Sequence, residues 1–195
     1  MNENTIACRH FDLADNFFDL VEAVLNERII HENITFGVFD ADSEINEIQM
    51  AYRQMTRWSD SRIIIPILFN FFHGCELYMK AAYYLLYKPN DKPTHKLSGH
   101  FEIFKKCYPS QTKLIDILEY YIFPDNKCEL LFNFYKTNGL ANSSDFYEVF
   151  KYPYNKNFDK PFNYKDLRNT EDKGLVFFRT LLDNIISLRH GKSGL

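Results

Sequence analysis

The chain is poor in the residues that interrupt regular structure, with only 7 glycines and 7 prolines in 195 residues. That scarcity excludes a linker-rich or low-complexity polypeptide and leaves room for long uninterrupted elements. Its cysteines, Cys8, Cys75, Cys107 and Cys128, are widely scattered and form no CxxC pair. This argues against a disulfide framework or a zinc ribbon, so reduced and mostly buried thiols are expected. There is no cationic excess: the formal charge is -3 and the isoelectric point is near 6.1. A broadly basic nucleic-acid coat is excluded, and any nucleic-acid site has to be local. The uncharged run between Arg62 and Glu76 falls short of the roughly 18 residues that span a bilayer. Glu3, Arg9 and Asp12 interrupt the N-terminal stretch before the apolar run of a signal peptide could form. A cytoplasmic protein without a membrane partner is the expectation.

Aromatic side chains are abundant instead, at 17% of the residues, within a hydrophobic total of 46%. The length suits one domain spanning 1–195. Its longest apolar helical pattern is Arg62 to Lys88, RIIIPILFNFFHGCELYMKAAYYLLYK, in which Pro66 either begins the helix or kinks it. On a helix advancing about 100° per residue, Asn70, His73, Glu76 and Lys80 share one arc, while Ile67, Phe71, Phe72, Cys75, Tyr78, Ala82 and Leu85 cover much of the remainder. An oily rod with one polar seam is the element on which the rest should pack.

Ahead of the rod, Asp12 to Ile30 has helical spacing through Phe17, Leu20, Val21, Val24 and Leu25, with Asp12 as N-cap. ITFGVF has the composition of a short strand inside a loop. From Ser43 a second helix is expected to pack on the rod through Ile45, Ile48, Ala51, Tyr52 and Met55, with Glu44 in its first turn. Behind the rod, PNDKPT is a break. HKLSGHFEIFKKCY reads as a helix with Leu97, Phe101 and Phe104 on one face. A further helix follows Ser110 with Leu114, Ile117, Leu118 and Tyr121, and another covers Cys128 to Tyr135. Phe146 to Arg168, interrupted by Pro153 and Pro161, reads as a long ordered loop. The last helix starts at Glu171 or Asp172, buries Phe178, Leu181, Leu182, Ile185 and Leu188, and closes at Gly191.

Each candidate site has a plain structural reading beside the functional one. Glu76 and Lys80 form an i,i+4 ion pair, or, with His73 and Asn70, a polar track facing a cleft or another subunit. His95, His100 and Cys107 have loose metal-like spacing but no fourth ligand, so no metal and no other cofactor is expected. Tyr147, Phe150, Tyr152, Tyr154, Phe158, Phe162 and Tyr164 alternate with Lys151, Lys156, Lys160 and Lys165. Such rings stack on unpaired bases while the cations follow phosphates, or they merely staple a loop to the core. On the last helix Arg179, Asp183, Ser187 and His190 share a face. Arg179 and His190 lie roughly 16 Å apart along the axis, too far to act together within one chain, although an antiparallel two-fold dimer would bring one subunit's arginine to the other's histidine.

FFHGCELYMKAAYYLL followed by HKL at His95 to Leu97 resembles the HEPN superfamily of small helical bundles, whose members pair a Glu and a Lys one turn apart and then show His-x-Leu. Lys151, Tyr152 and Pro153 are similar to the Arg-Tyr-Pro element before a late helix in that family, with Lys for Arg. The resemblance spans about 62–190, with the helices of 1–60 packed on it, and implies an all-α up-and-down bundle and a homodimer. It also implies a place in prokaryotic antiviral defence, abortive infection or a toxin–antitoxin system, with a cognate nucleotidyltransferase-like or antitoxin protein, or RNA, as partner. Active members are metal-independent ribonucleases with Arg and His four to six residues apart. Here the nearest equivalent is Arg179 with Asn184, and an amide cannot shuttle protons. A non-catalytic binding or assembly module is therefore expected, with Glu76, Lys80, His95, Lys151, Tyr152 and Tyr154 as its binding residues. The alternatives are an endoribonuclease using Arg179, His190 and His73 across a dimer, and a nucleotide or small-molecule bundle at Glu76, Lys80 and His95.

Overall fold

Helix α3 (Asp60–Leu86) is the buried axis of the molecule, with Ile64, Leu68, Phe71, Phe72 and Ala81 wholly enclosed. A computed structural model describes residues 3–31, 33–34, 37–39, 44–86, 96–155, 157–168 and 171–195. Against α3 lies α1 (Glu3–Ile30). Arg28 meets Asp60, Phe18 meets Phe71, Phe11 meets Tyr78 and His10 meets Tyr84, so the two helices run antiparallel. The buried positions of α1 include Ala7, Phe11, Ala14, Phe18, Val21, Leu25 and Arg28. Their alternating spacing of four and three is that of a coiled-coil seam. This corrects the expected start at Asp12, because Ala7 and Phe11 continue the seam toward the N-terminus and Asp12 is an exposed residue inside the helix.

The α1–α3 pair is clamped at one end by charge. Arg28 Nε donates to Asp60 Oδ1 at 2.5 Å, and both residues are buried. Asn33 donates to Asp60 Oδ2 at 3.2 Å and accepts from the Asp60 backbone N–H at 2.9 Å. The carboxylate thus sits in the first turn of α3, where the helix dipole favours it. Pro66 neither begins nor ends this helix, which starts at Asp60 and continues past it, and the Asn70 amide donates to the Pro66 carbonyl at 2.7 Å.

Helix α2 (Ile45–Met55) buries none of its residues. The expectation that it packs on the rod is therefore corrected: Ile45 and Met50 are 74% and 73% exposed. Periodicity announces an apolar face without saying what covers it. Its ties to α3 are at its C-terminal end, where Arg62 Nε donates to Thr56 Oγ1 and the guanidinium lies over Tyr52. Of the expected strand ITFGVF, positions 34 and 37–39 are not strand, and 35–36 lie outside the described residues. So do Tyr87, Lys88 and His95.

Helices α4 (Leu97–Cys107), α5 (Thr112–Ile122), α6 (Glu129–Asn138) and α9 (Glu171–Gly191) follow the sequence periodicity closely. The N-cap of α5 is Gln111 rather than Ser110. Helix α6 stops at Gly139, whose φ of 70° suits glycine, and Leu140 N–H closes the turn on the Tyr135 carbonyl. The stretch from Phe146 to Arg168 is more regular than a loop. It holds α7 (Phe146–Lys151) and α8 (Lys165–Arg168), because Phe146, Val149, Phe150 and Leu167 find buried positions. Between them Tyr154 and Pro161 form an isolated antiparallel bridge.

Helix α9 crosses α1 and α5, and its Arg189 is held by Asp19, by Glu22 Oε2 at 2.7 Å and by the Asp15 carbonyl at 3.2 Å. One hydrophobic cluster runs from Phe11 to Leu188 and includes residues of every helix but α2. The molecule is an all-α bundle. Among the described residues there is no strand, and no helix is long and apolar enough to cross a membrane.

Helices α1 and α3 pack tightly at Gly74, where an added Cβ would lie 2.7 Å from the fully buried Phe18 ring. Gly74→Val should lower the unfolding free energy by about 2 kcal/mol or more through overpacking. Urea denaturation followed by circular dichroism measures this, and an unchanged midpoint would contradict the packing described.

Candidate functional site

The polar seam of α3 is roofed over. Glu76, only 4% exposed, accepts from Lys80 Nζ at 2.5 Å, while His73 Nδ1 stands 3.6 Å from its other oxygen. The second distance is too long for a proper hydrogen bond. Burial is the largest influence on this carboxyl and raises its pKa. The contacts with His73 and Lys80 and the positive fields of Lys80 and His100 outweigh burial and bring it from 4.5 down to about 2. His100, buried on α4, adds to the field at Glu76 from a second helix. The sequence gives no hint of this, because the two residues lie on separate helices. Asn70 turns back onto its own helix.

His73 is enclosed by rings. Phe17 stands edge-on to it at 4.6 Å, Phe69 stacks at 6.3 Å, and the Tyr147 hydroxyl lies 3.3 Å from Nδ1. Burial raises the Tyr147 pKa, the charge of Glu76 raises it further, and Lys151 opposes them, so the phenol keeps its proton at neutral pH. Tyr147 connects the two candidate sites foreseen in the sequence. Its hydroxyl meets the seam, and its ring lines an adjacent groove of about 410 Å³ with Lys151, Tyr152, Tyr154 and Phe158.

The groove is built from a short helix and a turn. Tyr164 anchors its base, its hydroxyl reaching the carbonyls of Val149 at 2.5 Å and Tyr152 at 3.1 Å. Phe146 and Phe150 are buried, whereas Tyr147, Tyr152, Tyr154 and Phe158 are 41%, 49%, 43% and 76% exposed. The aromatic stretch therefore divides into rings that staple and rings that face water. The Lys151 ammonium lies over both Tyr147 and Tyr152. Phe158, at φ 58°, is the sole non-glycine residue with positive φ among those described. Its turn is held by the Asn155 carbonyl, which accepts from Phe158 N–H at 2.9 Å. Asp145 and Glu148 add negative charge to the rim.

Arg179 and His190 are exposed on α9, and neither forms a hydrogen bond or ion pair among the described residues. Neither is brought into contact with His73. Asn184 is occupied structurally: its amide donates to the Tyr121 hydroxyl at 2.9 Å. Among the described residues no three His, Cys, Asp or Glu side chains gather as metal ligands. Comparison with known proteins returns no matching family model, no matching curated protein and no matching solved structure. The HEPN resemblance accordingly rests on the residues quoted for it.

The depressed pKa of Glu76 has a definite sign. Its ionised form stabilises the fold above the ordinary carboxyl range, and that contribution is lost as pH falls from about 4.5 toward 2. Glu76→Gln should be less stable than wild type by on the order of 3 kcal/mol near neutral pH, the difference narrowing as pH falls below about 4.5 and closing only near 2. Urea melts across that range measure it, and a pH-independent difference would rule out a paired, ionised Glu76.

Proposed function

We propose that the protein is a non-catalytic binding module that takes single-stranded RNA in the Tyr147–Phe158 groove. The observation that carries this reading is the set of four exposed rings, Tyr147, Tyr152, Tyr154 and Phe158, gathered around Lys151 in one concave surface. Each ring offers a face on which an unpaired base can stack, and Lys151 and the nearby Lys160 supply cations for the backbone. Asp145 and Glu148 disfavour a phosphate-dense duplex. The seam supports the groove without binding anything itself, since Glu76 and Lys80 are committed to each other. On the resemblance, the module belongs to prokaryotic defence or a toxin–antitoxin pair, as a homodimer or with a nucleotidyltransferase-like or antitoxin protein.

Stacking rather than charge should dominate the affinity. A fluorescent oligouridine titrated at two salt concentrations should bind with a log–log slope of only about -1 to -1.5, the value for roughly two phosphate contacts on a single strand. Tyr154→Ala should weaken binding about tenfold. Absence of binding at low salt would refute the proposal.

A second reading, an endoribonuclease, is favoured by one observation: Arg179 and His190 lie exposed on the same helix, with no hydrogen bond or ion pair among the described residues. In a two-fold dimer the arginine would steady the phosphorane charge while the histidine moved protons. The first reading expects a mixed RNA pool to survive incubation with the protein and EDTA. Cleavage that disappears in His190→Ala would establish the second reading instead.

A further inference from the structure

On another part of the bundle, a cavity of about 520 Å³ opens between the end of α5, a 3-10 turn at Asn126–Cys128, α6, α8 and α9. Its volume is in the range of small-molecule sites, which span about 300–1,000 Å³. One wall is apolar, made by Tyr120, Leu130, Val176 and Phe177. Val176 is 65% exposed, an apolar side chain left facing the opening.

The rim is charged in an unbalanced way. Both oxygens of Glu129 are taken by Lys173 Nζ, at 3.0 and 3.1 Å, and Asp166 Oδ2 accepts from Thr137 Oγ1 at 2.7 Å. Lys127 and Lys165 line the same cavity, both exposed, with no counter-ion among the described residues. The lining thus sets the ammonium groups of Lys127, Lys165 and Lys173 against the carboxylates of Glu129 and Asp166, and this positive excess beside an apolar wall suits a ligand with a flat body at one end and negative charge at the other. Asn133, also on the lining, carries an amide that both donates and accepts at a ring edge.

We infer that this cavity is a binding site for a mononucleotide-sized ligand, a ring system bearing a phosphate monoester, with its ring on the Tyr120–Phe177 wall and its phosphate at Lys127 and Lys165. The inference does not depend on the RNA groove, which uses other residues on other elements.

The test is calorimetric titration of the full chain with 5′-AMP, and in parallel with adenosine and with inorganic phosphate. AMP should bind, and each half of the molecule should bind about tenfold or more weakly, since each reaches only one part of the site. The Lys127→Ala, Lys165→Ala double variant should weaken AMP about tenfold or more, because it removes both cations. Val176→Trp, which fills the mouth from an exposed position, should abolish binding while the melting curve stays near wild type. Tyr154→Ala, in the RNA groove, should leave AMP binding unchanged, so failure of either proposal is seen separately. Absence of AMP binding at millimolar ligand, or binding that survives both the double-lysine and the Val176→Trp changes, would overturn the assignment.

Discussion

A carboxylate buried on the central helix is the constraint around which the neighbouring elements are arranged. An isolated charge at the position of Glu76 would cost several kcal/mol, so polar groups have to be brought near it. Lys80 and His73 come from α3 itself, one turn to either side, but His100 comes from α4 and His73 is capped by Tyr147 of α7. Hydrophobic burial would accept several placements of α4 and α7 against an oily rod, because it has little directionality. Ion pairs and hydrogen bonds accept few. The seam thus ties α3 and α7 together in a particular register through the Tyr147–His73 contact, and the Arg28–Asp60–Asn33 cluster does the same for α1.

The aromatic richness of the chain serves both the core and the candidate site, and the distinction lies in where the polar tips go. Tyr108 donates to the Ala82 carbonyl and Tyr121 accepts from Asn184, so these rings are core residues with satisfied hydroxyls. Tyr164 is a third such anchor, lying beneath the groove. By contrast Tyr152 and Tyr154 turn large apolar surfaces toward water, where burial would have been worth roughly 1.5–3 kcal/mol each. Phe158 adds a left-handed backbone, which for a bulky residue is costly. A fold able to bury Phe134, Phe146 and Phe178 completely had the means to cover these rings, which makes their shared exposure informative.

Much of the architecture was legible from periodicity. Helices α3 to α6 and α9 carry strong 3.6-residue patterns, and their boundaries match to within a few residues. The true start of α1 was obscured because Arg9 and His10 interrupt the apolar pattern that Ala7 and Phe11 continue. The lack of cover over α2 was invisible, since amphipathicity specifies a face and not its partner. In the candidate site, Lys151, Tyr152 and Tyr154 could be read as a cluster because they are close in sequence. The contact of Tyr147 with His73 spans 74 residues and is a purely tertiary fact. The backbone of Phe158 was equally hidden, because glycine or asparagine, the usual markers of positive φ, is absent at that position.

The last helix limits how the alternative endoribonuclease could be built from this chain. Its C-terminal half is fixed at two points: Asn184 bonds to Tyr121 of α5, and Arg189 is gripped by acids of α1. These attachments set the rotation of α9 about its own axis, and with it the outward direction of Arg179 and His190. A histidine at 184 would have to replace an amide that bonds into the core. Its ring would then be occupied by a tyrosine hydroxyl and would not be available to a substrate. Acid–base chemistry on this helix would therefore have to come from the exposed face, through His190, and would need an arginine from elsewhere because the helical rise keeps Arg179 roughly 16 Å away. Stacking on the Tyr147–Phe158 groove needs no second subunit, and its rings are already in place in a single chain.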